Sequence, residues 1–107
     1  MNNKSLLLGQ VLKAINSFPR GHHLYLPSAS SFWADDAHCM VSNTLNISVL
    51  PFINKYKLRD TLSVDQTQGV VENAQLQKLK PSISYLVYAF NYYFRHDAYI
   101  DFGLIGF

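Results

Sequence analysis

With 107 residues, nine Lys and Arg against seven Asp and Glu, and a formal net charge of +2, the chain is sized for one domain over residues 1–107. Its basic residues are scattered rather than run together, so nothing asks for a nucleic-acid partner, and no stretch approaches the ~20 apolar residues of a membrane span. The single cysteine, Cys39, cannot form an internal disulfide, and the three leucines of MNNKSLLLGQ are too few for a signal-peptide core, so the expectation is a cytoplasmic protein.

Leu7, Leu8, Val11, Leu12 and Ile15 recur at helical spacing and predict an amphipathic helix of about three turns, with Asn3 or Ser5 as its cap and Pro19 and Gly21 ending it. His22–Pro27 reads as a strand bounded by Gly21 and Pro27. Ser28–Asp36 reads as a loop, SASSFWADD, small and polar but carrying Phe32 and Trp33. Ala37–Ser42 alternates Cys39 and Val41 with His38, Met40 and Ser42, a second strand. Thr44–Leu50 is a further strand-like run with Leu45, Ile47 and Val49 on one side. Pro51 suits the first position of a short helix over Pro51–Tyr56, and Lys57–Leu62 returns to a strand.

Ser63 and Gln66 have the spacing of a capping box, and Asp65 in the first turn complements the helix dipole. The helix that follows carries Thr67, Val70, Val71 and Ala74 inward and Gln68, Glu72, Asn73 and Gln75 outward. Gly69 in its interior points to close packing at that position. The stretch Lys80–Asp101 then forms a helix that is apolar on more than one face. Ile83, Leu86, Val87, Phe90 and Phe94 make one stripe, and Tyr85, Tyr88, Ala89 and Tyr92 make a second beside it. Either both stripes are buried, or one packs the core while the tyrosines meet a partner. The tail Ile100–Phe107 is apolar enough to require docking on the body or use by a partner. The element order predicts an α+β fold: a small, mostly antiparallel sheet packed against about four helices.

Residues capable of chemistry are few. His22, His23, Asp35, Asp36 and His38 are of the types that bind metals or move protons, but their spacing matches no metal motif, and adjacent histidines on a strand face opposite ways. His96 and Asp97 suit a helix C-terminus and the turn after it as well as they suit an oriented base. The five glycines never cluster in a phosphate loop, and no nucleophile elbow is present. No cofactor, no metal and no catalytic residue is therefore assigned. Trp33, beside Asp35 and Asp36 in a Ser-rich loop, has the character of a rigid aromatic anchor with a polar rim, or of a plug folded back into the core. The candidate partner-binding residues are Trp33, Asp35, Asp36, Tyr85, Tyr88 and Tyr92.

Leu24-Tyr25-Leu26-Pro27 after the first helix, then Leu62–Ala74 (LSVDQTQGVVENA), Ala89–Tyr93 (AFNYY) and His96–Asp101 (HDAYID), resemble in order and spacing a family of small bacterial proteins defined only as a domain of unknown function. The segment SFWADDAHCMVSNTLNISVLPFINKYKL is less acidic than that family's pattern, and the family implies no catalytic residues. In size and in lacking enzymatic motifs the chain also resembles the immunity proteins of contact-dependent and polymorphic toxin systems. That resemblance implies a non-enzymatic protein, monomer or homodimer, that neutralises one cognate toxin domain by binding it. A slightly basic chain would do so by steric blocking rather than by mimicking a nuclease's substrate. The alternatives are a small metal- or His/Asp-dependent hydrolase or nuclease built on His22 or His23 with Asp35, Asp36 or His38, and an inhibitor or regulator of another host enzyme.

Overall fold

The computed structural model describes residues 6–43 and 50–105, with the side chains of Phe52 and Ile105 left aside. The strand expected at Thr44–Leu50 lies outside the described residues except for Leu50, which begins a helix instead, and the caps expected at Asn3 or Ser5, with Gly106 and Phe107, lie outside them as well. In chain order the elements are β1 (Leu6–Leu7), α1 (Leu8–Lys13), a 3₁₀ turn (Ile15–Ser17), β2 (His23–Pro27), β3 (His38–Ser42), α2 (Leu50–Tyr56), β4 (Leu58–Ser63), α3 (Val64–Gln77), α4 (Ile83–His96) and α5 (Phe102–Ile105). The four strands form one antiparallel sheet in the order β1-β3-β2-β4, so the domain is α+β, as the sequence predicts.

Both faces of this sheet are covered, which explains why Leu24, Tyr25 and Leu26 are buried in succession rather than alternately. Leu24 and Leu26 point into the main core with Cys39, Leu62, and residues of α1, α3 and α4. Tyr25 points the other way and packs with Met40, Leu58, Ile53 and Tyr56, beneath α2. On β3 the expected alternation is realised, Cys39 and Val41 joining one cluster and Met40 the other.

Strand β4 contributes to both clusters through a slip in register. Tyr25 pairs with Asp60, Leu26 with Arg59 and Pro27 with Leu58, but His23 pairs with Ser63, so β4 holds one extra residue opposite β2. Such a bulge turns the residues beyond it onto the opposite face. Leu58 therefore serves the α2 side and Leu62 the main core, although four residues apart in a regular strand they would share a face. The Thr61 hydroxyl, at the irregularity, donates to the Leu24 carbonyl at 2.7 Å.

The first helix is shorter than its periodicity predicts. Leu6 and Leu7 pair with Cys39 and His38 on β3, so they are extended and helix begins only at Leu8. The cap is supplied from within: the Gln10 side-chain oxygen accepts the Leu7 N–H at 3.0 Å. Ala14 leaves helical geometry (φ −110°, ψ 22°) and the chain tightens into the 3₁₀ turn. Leu8, Val11, Leu12 and Ile15 are buried as expected, whereas Leu7 is on the surface because the strand, not the helix, sets its direction.

Helix α3 follows its sequence signals closely. The Ser63 hydroxyl accepts the Gln66 N–H at 3.1 Å, and the Gln66 side chain accepts the Ser63 N–H at 2.9 Å, completing the capping box. Thr67, Val70, Val71 and Ala74 are all buried. Helix α4 starts at Ile83 rather than Lys80, with the Ser82 hydroxyl accepting the Tyr85 N–H at 3.2 Å, and Asp97 closes it in left-handed conformation (φ 54°). The chain beyond α4 is docked on α3. Gln77 donates to the Ile100 carbonyl at 2.7 Å and accepts the Phe102 N–H at 2.9 Å, placing Ile100 and Phe102 in the core while Leu104 stays on the surface.

Tyr99 explains Gly69: a β-carbon there would sit 2.6 Å from the Tyr99 hydroxyl oxygen. Alanine in a helix interior is worth ~1 kcal/mol over glycine, and here displacement of Tyr99 opposes that gain. Gly69→Ala should therefore stabilise the Tyr99→Ala variant by about 1 kcal/mol and the parent chain by clearly less, as read by urea unfolding of the four proteins of the cycle.

Candidate protein-docking site

Trp33 is the first correction to the sequence reading. It is 1% exposed, one of the largest fully buried side chains among the described residues, and so cannot present itself to a partner. Its indole N–H donates to the Pro27 carbonyl at 2.9 Å. Its ring meets Phe94 and Phe90 edge-on, with centroids 5.0 Å and 6.3 Å away. Burying an indole needs that hydrogen bond, and the loop's return toward the end of β2 provides it.

The loop is held from the other side by Asn91, a buried polar residue of α4. Its side-chain oxygen accepts the Trp33 N–H at 2.7 Å, and its amide donates to the Trp33 carbonyl at 2.9 Å and to the Val87 carbonyl at 2.8 Å. A side-chain amide has the donor and acceptor of a peptide group, so Asn91 satisfies both backbone groups of Trp33 as a neighbouring strand would.

With Trp33 seated, Phe32 is turned outward and is 50% exposed. It meets Tyr88 of α4, 37% exposed, edge to face with centroids 6.2 Å apart. The two rings form a ridge between two surface depressions. One, of about 120 Å³, is bordered by Phe32, Tyr88, Asn91, Tyr92, Arg95 and His96. The other, of about 280 Å³, is bordered by Phe32, Ala34, Asp35, Ser84, Val87 and Tyr88. The first is well below the ~300–1,000 Å³ typical of small-molecule pockets, and the second lies at the lower end of that range.

The structure thus brings together three of the six residues singled out from sequence. Tyr88 forms the ridge, Tyr92 is half-buried beside it with its ring 4.2 Å from that of His96, and Asp35 lies on the opposite flank. Asp36 is exposed nearby in the chain but borders neither hollow. Tyr85 is the second correction: it is buried and stacks on Phe102 at 3.8 Å, because the docked C-terminal segment covers that side of α4. The tyrosine stripe is therefore divided, Tyr85 and Ala89 in the core and Tyr88 at the surface. Phe32, Asn91 and Arg95 were missed. The Phe32-Trp33 doublet held the signal for the first, since one loop cannot seat two adjacent rings in the same hole.

The residues considered for catalysis are dispersed. His23 on β2 pairs through its Nδ1 with Asp60 on β4 at 2.9 Å, His38 stacks on Tyr56, and Asp35 sits beside the aromatic ridge. No group of three His, Cys, Asp or Glu residues capable of holding a metal ion occurs among the described residues. Burial pushes the Cys39 thiol far above its usual range, as expected of a packed side chain rather than a nucleophile. Burial, reinforced by Asp60, also raises Tyr25. No helix among the described residues is long and apolar enough to cross a membrane.

Fold and surface together define a small α+β domain with an exposed aromatic ridge on a tightly packed support. A family model described as a domain of unknown function, DUF7716, matches residues 5–102, which include all four pieces of sequence on which the family resemblance rests, and the chain belongs to that family. No curated protein and no solved structure matches it.

Two substitutions separate support from surface. Trp33→Ala should cost about 3–5 kcal/mol of unfolding free energy, as for other large buried aromatics. Asn91→Ala should cost about 2–4 kcal/mol, because it strands both backbone groups of Trp33 in a dry interior. Phe32→Ala should lie within about 1 kcal/mol of the parent in the same denaturant titration.

Proposed function

We propose that this chain is an immunity protein, a non-enzymatic cytoplasmic domain that binds one cognate bacterial toxin domain and blocks it, and that it binds through the Phe32–Tyr88 face. The observation that carries this reading is the pair of half-exposed aromatic rings, one from a loop and one from a helix, fixed in edge-to-face contact over a buried support. Aromatic rings with few rotatable bonds are the side chains most often responsible for interface energy, because they bury much area at little entropic cost. The surroundings favour a protein partner over a substrate: the ionisable groups at the edges of the hollows are not assembled into an acid–base or nucleophilic set.

Titration calorimetry against the C-terminal domain of the protein encoded directly upstream tests the reading. Binding near one to one at nanomolar affinity or better is expected, with loss of the toxin's activity in the complex. Phe32→Ala and Tyr88→Ala should each weaken that binding by about 2 kcal/mol or more while leaving the melting temperature nearly unchanged. Absence of heat at micromolar concentrations rejects the immunity reading for that partner.

A further inference from the structure

We propose that the Phe32–Tyr88 face is a docking site for a charged and directional protein segment, one that places an apolar side chain against the ridge, a carboxylate at Arg95 and a cation at Asp35. This deepens the proposed function, on whose choice of face it rests.

The two flanks of the ridge carry opposite charge. Arg95 and His96, in the last turn of α4, border the hollow on one side, and no acidic residue lines it. Asp35 borders the hollow on the other side, and no basic residue lines that one. Among the described residues, neither Arg95 nor Asp35 forms an ion pair, and both are exposed. Exposed charges beside an aromatic patch contribute mainly to orientation and to rejection of wrong partners, while the rings supply affinity.

The helix also sets the length of the occupant. Ser84 borders the hollow on the acidic flank and Arg95 the one on the basic flank. Eleven residues of helical rise separate them by about 16 Å, which matches about five residues of extended chain or three turns of helix. The segment therefore carries its cation and its carboxylate toward opposite ends, with an aromatic or aliphatic residue between them.

The test is selection of a phage-displayed random library, of peptides roughly twice the length that the face spans, on the parent protein. Selected peptides are then measured by fluorescence anisotropy against the parent and the Phe32→Ala, Arg95→Glu and Asp35→Lys variants, each first shown to melt like the parent. Enriched peptides should carry an apolar residue between an acidic and a basic one. Their affinity should fall about tenfold or more in both Phe32→Ala and Arg95→Glu, and be recovered in Arg95→Glu when the peptide's acid is changed to lysine. Failure to enrich any peptide that depends on Phe32 overturns the proposal, as does affinity that is indifferent to reversal at Arg95. The outcome is separable from the calorimetry. A peptide result that succeeds where the upstream domain does not bind keeps the docking chemistry and removes the immunity role, while toxin binding that ignores Arg95 does the reverse.

Discussion

The contact on which the rest of the surface depends is the side-chain amide of Asn91 against the backbone of Trp33. A loop between two strands ordinarily runs over the outside, because its peptide groups need water or partners. Here the loop is drawn into the fold, and the three hydrogen bonds of one asparagine make that possible by satisfying the Trp33 N–H and carbonyl together with the Val87 carbonyl. In a dry interior the cost of leaving those groups unpaired exceeds the modest net value of each bond, so the amide acts chiefly as a condition for burial. The indole then fills the space beside Phe90 and Phe94. The support is therefore polar at its centre and aromatic around it, and its outward consequence is the position of Phe32.

A second constraint comes from the sheet. Covering both faces of the sheet requires β2, β3 and β4 to divide their apolar residues between two cores, and period-two alternation does this on β2 and β3 without adjustment. Strand β4 has its leucines at positions of the same parity, and the extra residue opposite β2 reverses the parity between them. The same strand is an edge of the sheet, where exposed Arg59 and Asp60 and the irregular register discourage pairing with another chain. The aromatic ridge lies away from this edge, on α4 and the loop that packs against it. Its helical half is carried by α4, which packs on both α1 and α3. A side chain that is already ordered loses little entropy when something packs against it.

Several elements were legible in the residues themselves because their signals are local. The capping box at Ser63 and Gln66, the buried stripe of α3, the alternation of β3 and the α+β order all follow from interactions within a few positions of the chain. Others were decided at a distance. Leu7 fits a helical stripe, yet pairing of Leu6 and Leu7 with β3 took them into a strand. Tyr85 and Tyr88 share a stripe, yet only Tyr85 lies where the docked Phe102 covers the helix.

By itself, then, the sequence determined a small α+β domain with an over-apolar helix after Lys80, a close approach at Gly69 and an aromatic loop, since composition, periodicity and capping are properties of neighbouring residues. Only the tertiary structure decided which aromatics are support and which are surface. Trp33 and Phe32 are adjacent and chemically alike, and what separates them is Asn91, fifty-eight positions from Trp33 in the chain, whose amide is in place only once α4 has packed against the loop.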